Sequence, residues 1–82
     1  MSRADPIPEL KRLAGAQIAE LLDGWNAHDA AVLLRTDQPR ISDLRRGRLE
    51  RFSLETLIRF LTHLGRRVDL SITEIPRRFG RR

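Results

Sequence analysis

Apolar residues recur at helical spacing over residues 9–23, where Leu10, Leu13 or Ala14, Ile18, Leu21 and Leu22 fall on one face and predict a first helix. Gly15 interrupts this face. Glycine inside a helix costs about 1 kcal/mol relative to alanine, but it also permits another helix to approach closely. Gly24 ends the segment, and Trp25, the single tryptophan, is expected to fold onto the core. A second helix is predicted over residues 27–35, with Asn26 as its cap, Asp29 in its first turn, and Ala30 or Ala31, Leu33 and Leu34 buried. Small alanines there allow two short helices to cross closely. Residues 54–64 carry Leu54, Leu57, Ile58, Leu61 and Leu64 at helical spacing, extended by Phe60. Ser53 is placed to cap this helix and Gly65 to stop it. Beyond Arg66 and Arg67 the period changes to two. Val68, Leu70 and Ile72 alternate with polar residues, which predicts a short strand whose unpaired edge needs a second copy, an N-terminal segment or another protein.

Between the second and last helical patterns lies residues 37–48, DQPRISDLRRGR. Asp37 supplies a capping oxygen, Pro39 suits the first turn, and Gly47 suits the exit. Ile41 and Leu44 stand three apart and share one buried stripe, so that Gln38, Arg40, Ser42, Asp43, Arg45 and Arg46 remain as the polar set. A short helix anchored by two apolar residues and exposing arginines suits the DNA major groove. A surface helix whose arginines simply face water fits the same window. Leu49 and Phe52 are expected to anchor the link to the last helix.

Charge shifts this balance through its placement. The chain has 82 residues and a formal charge of +5, from 16 basic against 11 acidic side chains. Residues 1–34 hold three basic and five acidic side chains, whereas residues 35–82 hold thirteen basic and six acidic. The basic surface therefore begins where the 37–48 stretch begins. A chain of this size buries only roughly 60 to 65% of its extended surface, which makes stabilisation by a second subunit reasonable.

Other chemistries find little footing. There is no cysteine, and His28 and His63 have no ligand-like spacing, so neither a disulfide nor a metal site is expected, and no cofactor. No nucleophile has an adjacent base, and no glycine loop is built to cradle phosphate. Asp37 and Asp43, six apart, do not form a catalytic pair, and His63 is placed to meet the carbonyls ending its helix. No apolar run approaches the roughly 18 residues of a membrane span, and the N-terminus lacks the order of a signal peptide, so a cytoplasmic location is expected. The organisation read from these patterns is a flexible lead-in over residues 1–8, one domain over residues 9–73 and a basic, disordered tail over residues 74–82. Arg77, Arg78, Arg81 and Arg82 in that tail are either a solubilising extension or an arm for phosphate contacts, and Phe79 could dock on a partner.

The ordered combination of Gln38-Pro39-Arg40-Ile41-Ser42-Asp43-Leu44, Gly47, Phe52-Ser53 and Leu64-Gly65 resembles the helix-turn-helix of the Xre/Cro-like family of regulators, and within it the small antitoxin branch related to HigA. The likeness runs over about residues 20–72, through AAVLLRTDQPRISDLRRG at 30–47 and RFSLETL at 51–57. It implies a mainly all-α, lambda-repressor-like domain of four to five helices with a short C-terminal β-strand. It also implies a bacterial or phage-encoded dimer on a palindromic double-stranded operator, repressing its own operon. An antitoxin that neutralises a cognate toxin, and a phage-type repressor without one, are the alternative readings.

Residue by residue, the resemblance places Gln38, Arg40, Ser42 and Asp43 at base edges, with Arg40 as the chief reader; Asp43 has the wrong sign for phosphate and is expected to orient Arg40 or Arg46, or to help reject mismatched bases. Asn26, His28, Arg35, Arg45, Arg46, Arg48 and Arg51 fall where the DNA backbone is met. Val68, Leu70 and Ile72 are assigned to dimerisation. Two positions depart from the family pattern. Ala27 stands where glutamine is usual, and Arg35 stands where the turn normally has glycine, so the turn either closes differently or stores strain.

Overall fold

The computed structural model describes residues 5–76 of the chain. Among the described residues four α-helices, α1 (Ile7–Leu21), α2 (Ala27–Leu34), α3 (Gln38–Arg45) and α4 (Leu54–His63), follow one another, with a 3-10 turn at Leu49–Arg51 between the last two. The helix starts follow from local chemistry. The side chains of Asn26, Asp37 and Ser53 accept hydrogen bonds from the backbone N–H groups of Asp29, Arg40 and Thr56, at 2.7, 3.0 and 3.0 Å. Each acceptor satisfies an amide that the first helical turn leaves without a partner. Helix α1 has no side-chain cap and begins with Pro6 just ahead of it. It starts at Ile7, two residues before the start that apolar spacing predicts.

Three of the helix exits share one arrangement. After α3 the N–H groups of Gly47 and Arg48 donate to the carbonyls of Leu44 and Asp43, and after α4 those of Gly65 and Arg66 donate to Thr62 and Leu61. After α2 the same pair of bonds is made by Arg35 to Val32 (3.2 Å) and Thr36 to Ala31 (2.9 Å). This closing turn needs a left-handed residue. Gly47 and Gly65 supply it at φ +74° and +79°, and Arg35 supplies it at φ 58°, ψ 47°.

The core gathers one stripe from every helix: Ile18 of α1 with Leu22 just past its end, Ala30, Ala31 and Leu34 of α2, Ile41 and Leu44 of α3, and Leu57, Phe60 and Leu61 of α4, with Phe52 joining from the link. Ile18, Leu22, Leu34, Ile41 and Leu57 are essentially inaccessible to solvent, each burial being worth roughly 1.5–3 kcal/mol. Phe52 meets Phe60 edge-on, with ring centroids 6.1 Å apart and planes at 72°. Gly15 does permit a close approach, though to the 3-10 turn and not to another helix. A Cβ built there would lie 2.6 Å from Leu49 Cδ2.

Three expectations are corrected. Among the described residues there is no strand: residues 66–76 run as an irregular, exposed arm, with Leu70 and Ile72 each 85% exposed. Alternation made those residues suitable for a ladder, but a single copy offers no neighbouring edge. Trp25 does not fold into the core; it sits at the α1–α2 corner, 42% exposed. Leu10 and Leu13 are also exposed, because the face of α1 is wider than the surface α4 covers. Arg77, Arg78, Phe79, Arg81 and Arg82 lie outside the described residues.

Candidate nucleic-acid interface

Only residues 35–37 separate α2 from α3, so the closing turn of the first helix leads almost directly into the cap of the second. Ile41 and Leu44 turn one side of α3 into the core, and the polar side chains on its other sides are thereby fixed in direction. The polar set does not act as one. Gln38, Pro39 and Arg46 are exposed, and Ser42 is half-buried between them in the helix. Arg40 lies back over the ring of Phe52, its guanidinium carbon 4.2 Å from the ring centroid, a cation–π geometry.

Asp43 makes contacts that its sequence neighbours do not suggest. Its side chain is only 15% exposed, and its Oδ1 accepts from Arg51 Nη1 at 3.1 Å and lies 3.8 Å from Arg48 Nη1. The expected pairing with Arg40 or Arg46 is not the one found. The carboxylate instead ties α3 to the chain leaving it, and partly neutralises two arginines expected at the DNA backbone. Arg45, though exposed, likewise reaches back across the fold. Its Nη2 donates to the carbonyl oxygens of Leu22 and Trp25, at 3.2 and 2.5 Å.

At the start of α2, Asn26 is occupied twice by Asp29: its side-chain oxygen accepts from the Asp29 amide and its Nδ2 donates to Asp29 Oδ2 at 3.1 Å. His28 is exposed in the same first turn, and Arg35, Arg46 and Arg48 are exposed near α3. The outward surface formed by Gln38, Ser42 and Arg46, flanked by Arg35 and Arg48, is polar and carries positive charge. Such a surface presents amide and guanidinium donors together, the two kinds of group that pair with base edges and phosphate oxygens.

The inward roles of Arg40, Asp43 and Arg45 were not legible from spacing. Asp43 stands five and eight residues from its partners, and Arg45 stands twenty or more from the carbonyls it meets, so no helical periodicity connects them. Among the described residues no group of three or more histidine, aspartate and glutamate side chains is placed to hold a metal ion. No helix there is long and apolar enough to cross a membrane.

A pair of short helices joined by a three-residue turn, the second presenting a polar outer side, defines a helix-turn-helix protein. Residues 1–73 match the family model described as a helix-turn-helix domain, and the chain belongs to that family, which is DNA-binding and not enzymatic. A solved structure described as "Putative XRE Family Transcriptional Regulator" is similar, with a TM-score of 0.78 and 29% identity over 89% of this chain and 84% of that one. No curated protein matches the chain.

Proposed function

We propose that this protein is a sequence-specific transcriptional regulator that binds operator DNA as a homodimer and represses its own operon. The observation that carries this reading is α3 itself: capped by Asp37, anchored by Ile41 and Leu44, and presenting Gln38, Ser42 and Arg46 outward. In the major groove Gln38 can pair with adenine through both of its amide atoms, and each good two-point pair is worth roughly 1–3 kcal/mol of discrimination. His28, Arg35, Arg46 and Arg48 stand where phosphates pass. Arg40 reaches a guanine edge only by leaving the Phe52 ring, so its assignment as chief reader gives way to a supporting one, and Asp43 becomes a tie to Arg51 in place of a base contact.

The dimer is supported by apolar surface left open in a single copy. A groove of about 440 Å³ lies between α1, α4 and the arm, lined by Leu10, Leu13, Leu54, Ile58, Val68 and Leu70. Ile72 and Ile75 continue the apolar arm past it, both exposed. Two arms paired about a twofold axis would satisfy their backbone edges and close both grooves. The same surface suits an antitoxin of the HigA-like kind, whose toxin would cover it. Replacing Leu70 and Ile72 together with aspartate should leave the helices intact and give a monomer in sedimentation at tens of micromolar. A double variant that still sediments as a dimer would place the interface elsewhere.

Selection of duplexes from a randomised pool tests the DNA reading. Enrichment of an inverted repeat with half-sites about 34 Å apart is expected from two α3 helices on one face of the duplex. Binding to every duplex alike would remove the sequence-specific role. Co-purification of a second small protein from the native host would favour the antitoxin reading.

A further inference from the structure

The α1–α2 corner is the place where the fold carries more than a helix-turn-helix requires. Trp25 ends that corner and Asn26 opens α2, whose first turn, with His28, is the second element turned towards DNA in the reading above. Arg45 sits in the last turn of α3, the first such element. Its Nη2 has two hydrogens, and the two carbonyls it meets, Leu22 and Trp25, lie on either side of the corner. One planar group thus spans from the exit of α3 to the entrance of α2, across twenty residues of chain. Apolar contacts alone fix how far apart these elements sit. They fix rotation about the contact poorly, because burial has no direction, whereas two hydrogen bonds from one nitrogen of a rigid planar group do fix it.

We propose that Arg45 is a positioning residue that sets the angle between α3 and the start of α2, and that it is not one of the phosphate contacts. This rests on the DNA-binding reading and deepens it. The neighbouring Arg46, which caps the end of α3, is exposed like Arg45 but has no carbonyl to hold it among the described contacts, and it is the phosphate contact at this end of the helix. Adjacent arginines with identical chemistry therefore have separable duties.

The two duties leave different marks on salt dependence. Losing a phosphate contact lowers the slope of log affinity against log salt by about 0.9 per contact, hence about 1.8 for a dimer. Losing a strut lowers specific affinity without changing how many counterions are released. The experiment compares the full chain with Arg45→Met and Arg46→Met on the duplex enriched by the unaltered protein and on a scrambled duplex, across a salt series. For Arg45→Met the expected result is an unchanged slope. Affinity for the enriched duplex should fall about tenfold, the order expected for a lost charge-assisted hydrogen bond, and affinity for the scrambled one much less. For Arg46→Met the slope falls and both duplexes lose alike. A slope that falls equally in both variants overturns the proposal.

A second measurement needs no DNA. Quenching of Trp25 fluorescence by acrylamide should rise in Arg45→Met and stay at the original level in Arg46→Met; equal quenching in all three proteins also overturns the strut. If the unaltered protein binds no duplex while quenching rises as described, the strut stands and the DNA reading fails. If Arg45→Met does not fold, Arg45→Gln, which keeps a polar side chain but is too short to reach the two carbonyls, carries the same comparisons.

Discussion

Arg35 holds a left-handed backbone, and replacing it with glycine should stabilise the protein. The residue closes α2 at φ 58°, ψ 47°, and its N–H and that of Thr36 bond back to Val32 and Ala31. For a residue with a Cβ this conformation costs roughly 1–2 kcal/mol, from contact between Cβ and the following carbonyl oxygen. Glycine removes that cost but loses about 0.5–1 kcal/mol through its greater freedom in the unfolded chain. The exposed Arg35 side chain contributes little of its own to folding. The net expectation is a gain of about 0.5–1 kcal/mol, or about 2–8 °C in Tm for a chain of this length.

Urea unfolding followed by circular dichroism, at one fixed protein concentration, would show the gain as a higher midpoint with an unchanged slope. Arg35→Ala is the necessary comparison, since it removes the same side chain and keeps the strain. It should lie within about 0.5 kcal/mol of the original protein, and Arg35→Asn should fall between the two because asparagine tolerates this conformation better. A glycine variant no more stable than the alanine variant would refute the strain argument. It would mean that surrounding packing, and not the residue, sets the cost of this turn.

Three further perturbations probe other parts of the fold. Valine at Gly15 would drive its branched carbon into Leu49, so Gly15→Val should destabilise by about 1–3 kcal/mol in urea unfolding, and Leu49→Ala in that background should restore part of the loss. Asp37→Ala removes the cap of α3 and should cost about 0.5–2 kcal/mol by the same assay, with a parallel fall in DNA affinity. The hydrogen bond from Arg12 holds the Glu9 carboxyl below its ordinary value. Its small stabilising contribution is therefore present above the ordinary glutamate range and lost as pH falls through the lowered value; NMR titration should show the shift in the original protein and its disappearance in Arg12→Gln.

What could be read in the chain beforehand divides along one physical line. The caps at Asn26, Asp37 and Ser53 and the stops at Gly47 and Gly65 involve atoms a few residues apart, so residue type and spacing were sufficient. The pairing of Ile41 with Leu44 as anchors of α3 was legible for the same reason. The arm at residues 66–76 was misread because alternation reports which side chains could share a face, not whether another strand is present to pair with. Trp25 was misplaced because bulk and apolarity favour burial on average, while its position at a corner directs it outward. The roles of Arg40, Asp43 and Arg45 depended on Phe52, Arg51 and two distant carbonyls, brought near only by the tertiary fold.

The short-range character of the helix boundaries also bears on how quickly the domain assembles. Three helices begin on an acceptor three residues from its amide, and three exits close within five residues of chain, so little loop must be ordered before these contacts form. Helical domains dominated by such local contacts fold in microseconds to milliseconds. A domain of this kind regains its third helix long before a second copy can be found by diffusion at low concentration. For the dimer proposed above, refolding is then timed by the encounter of two finished subunits.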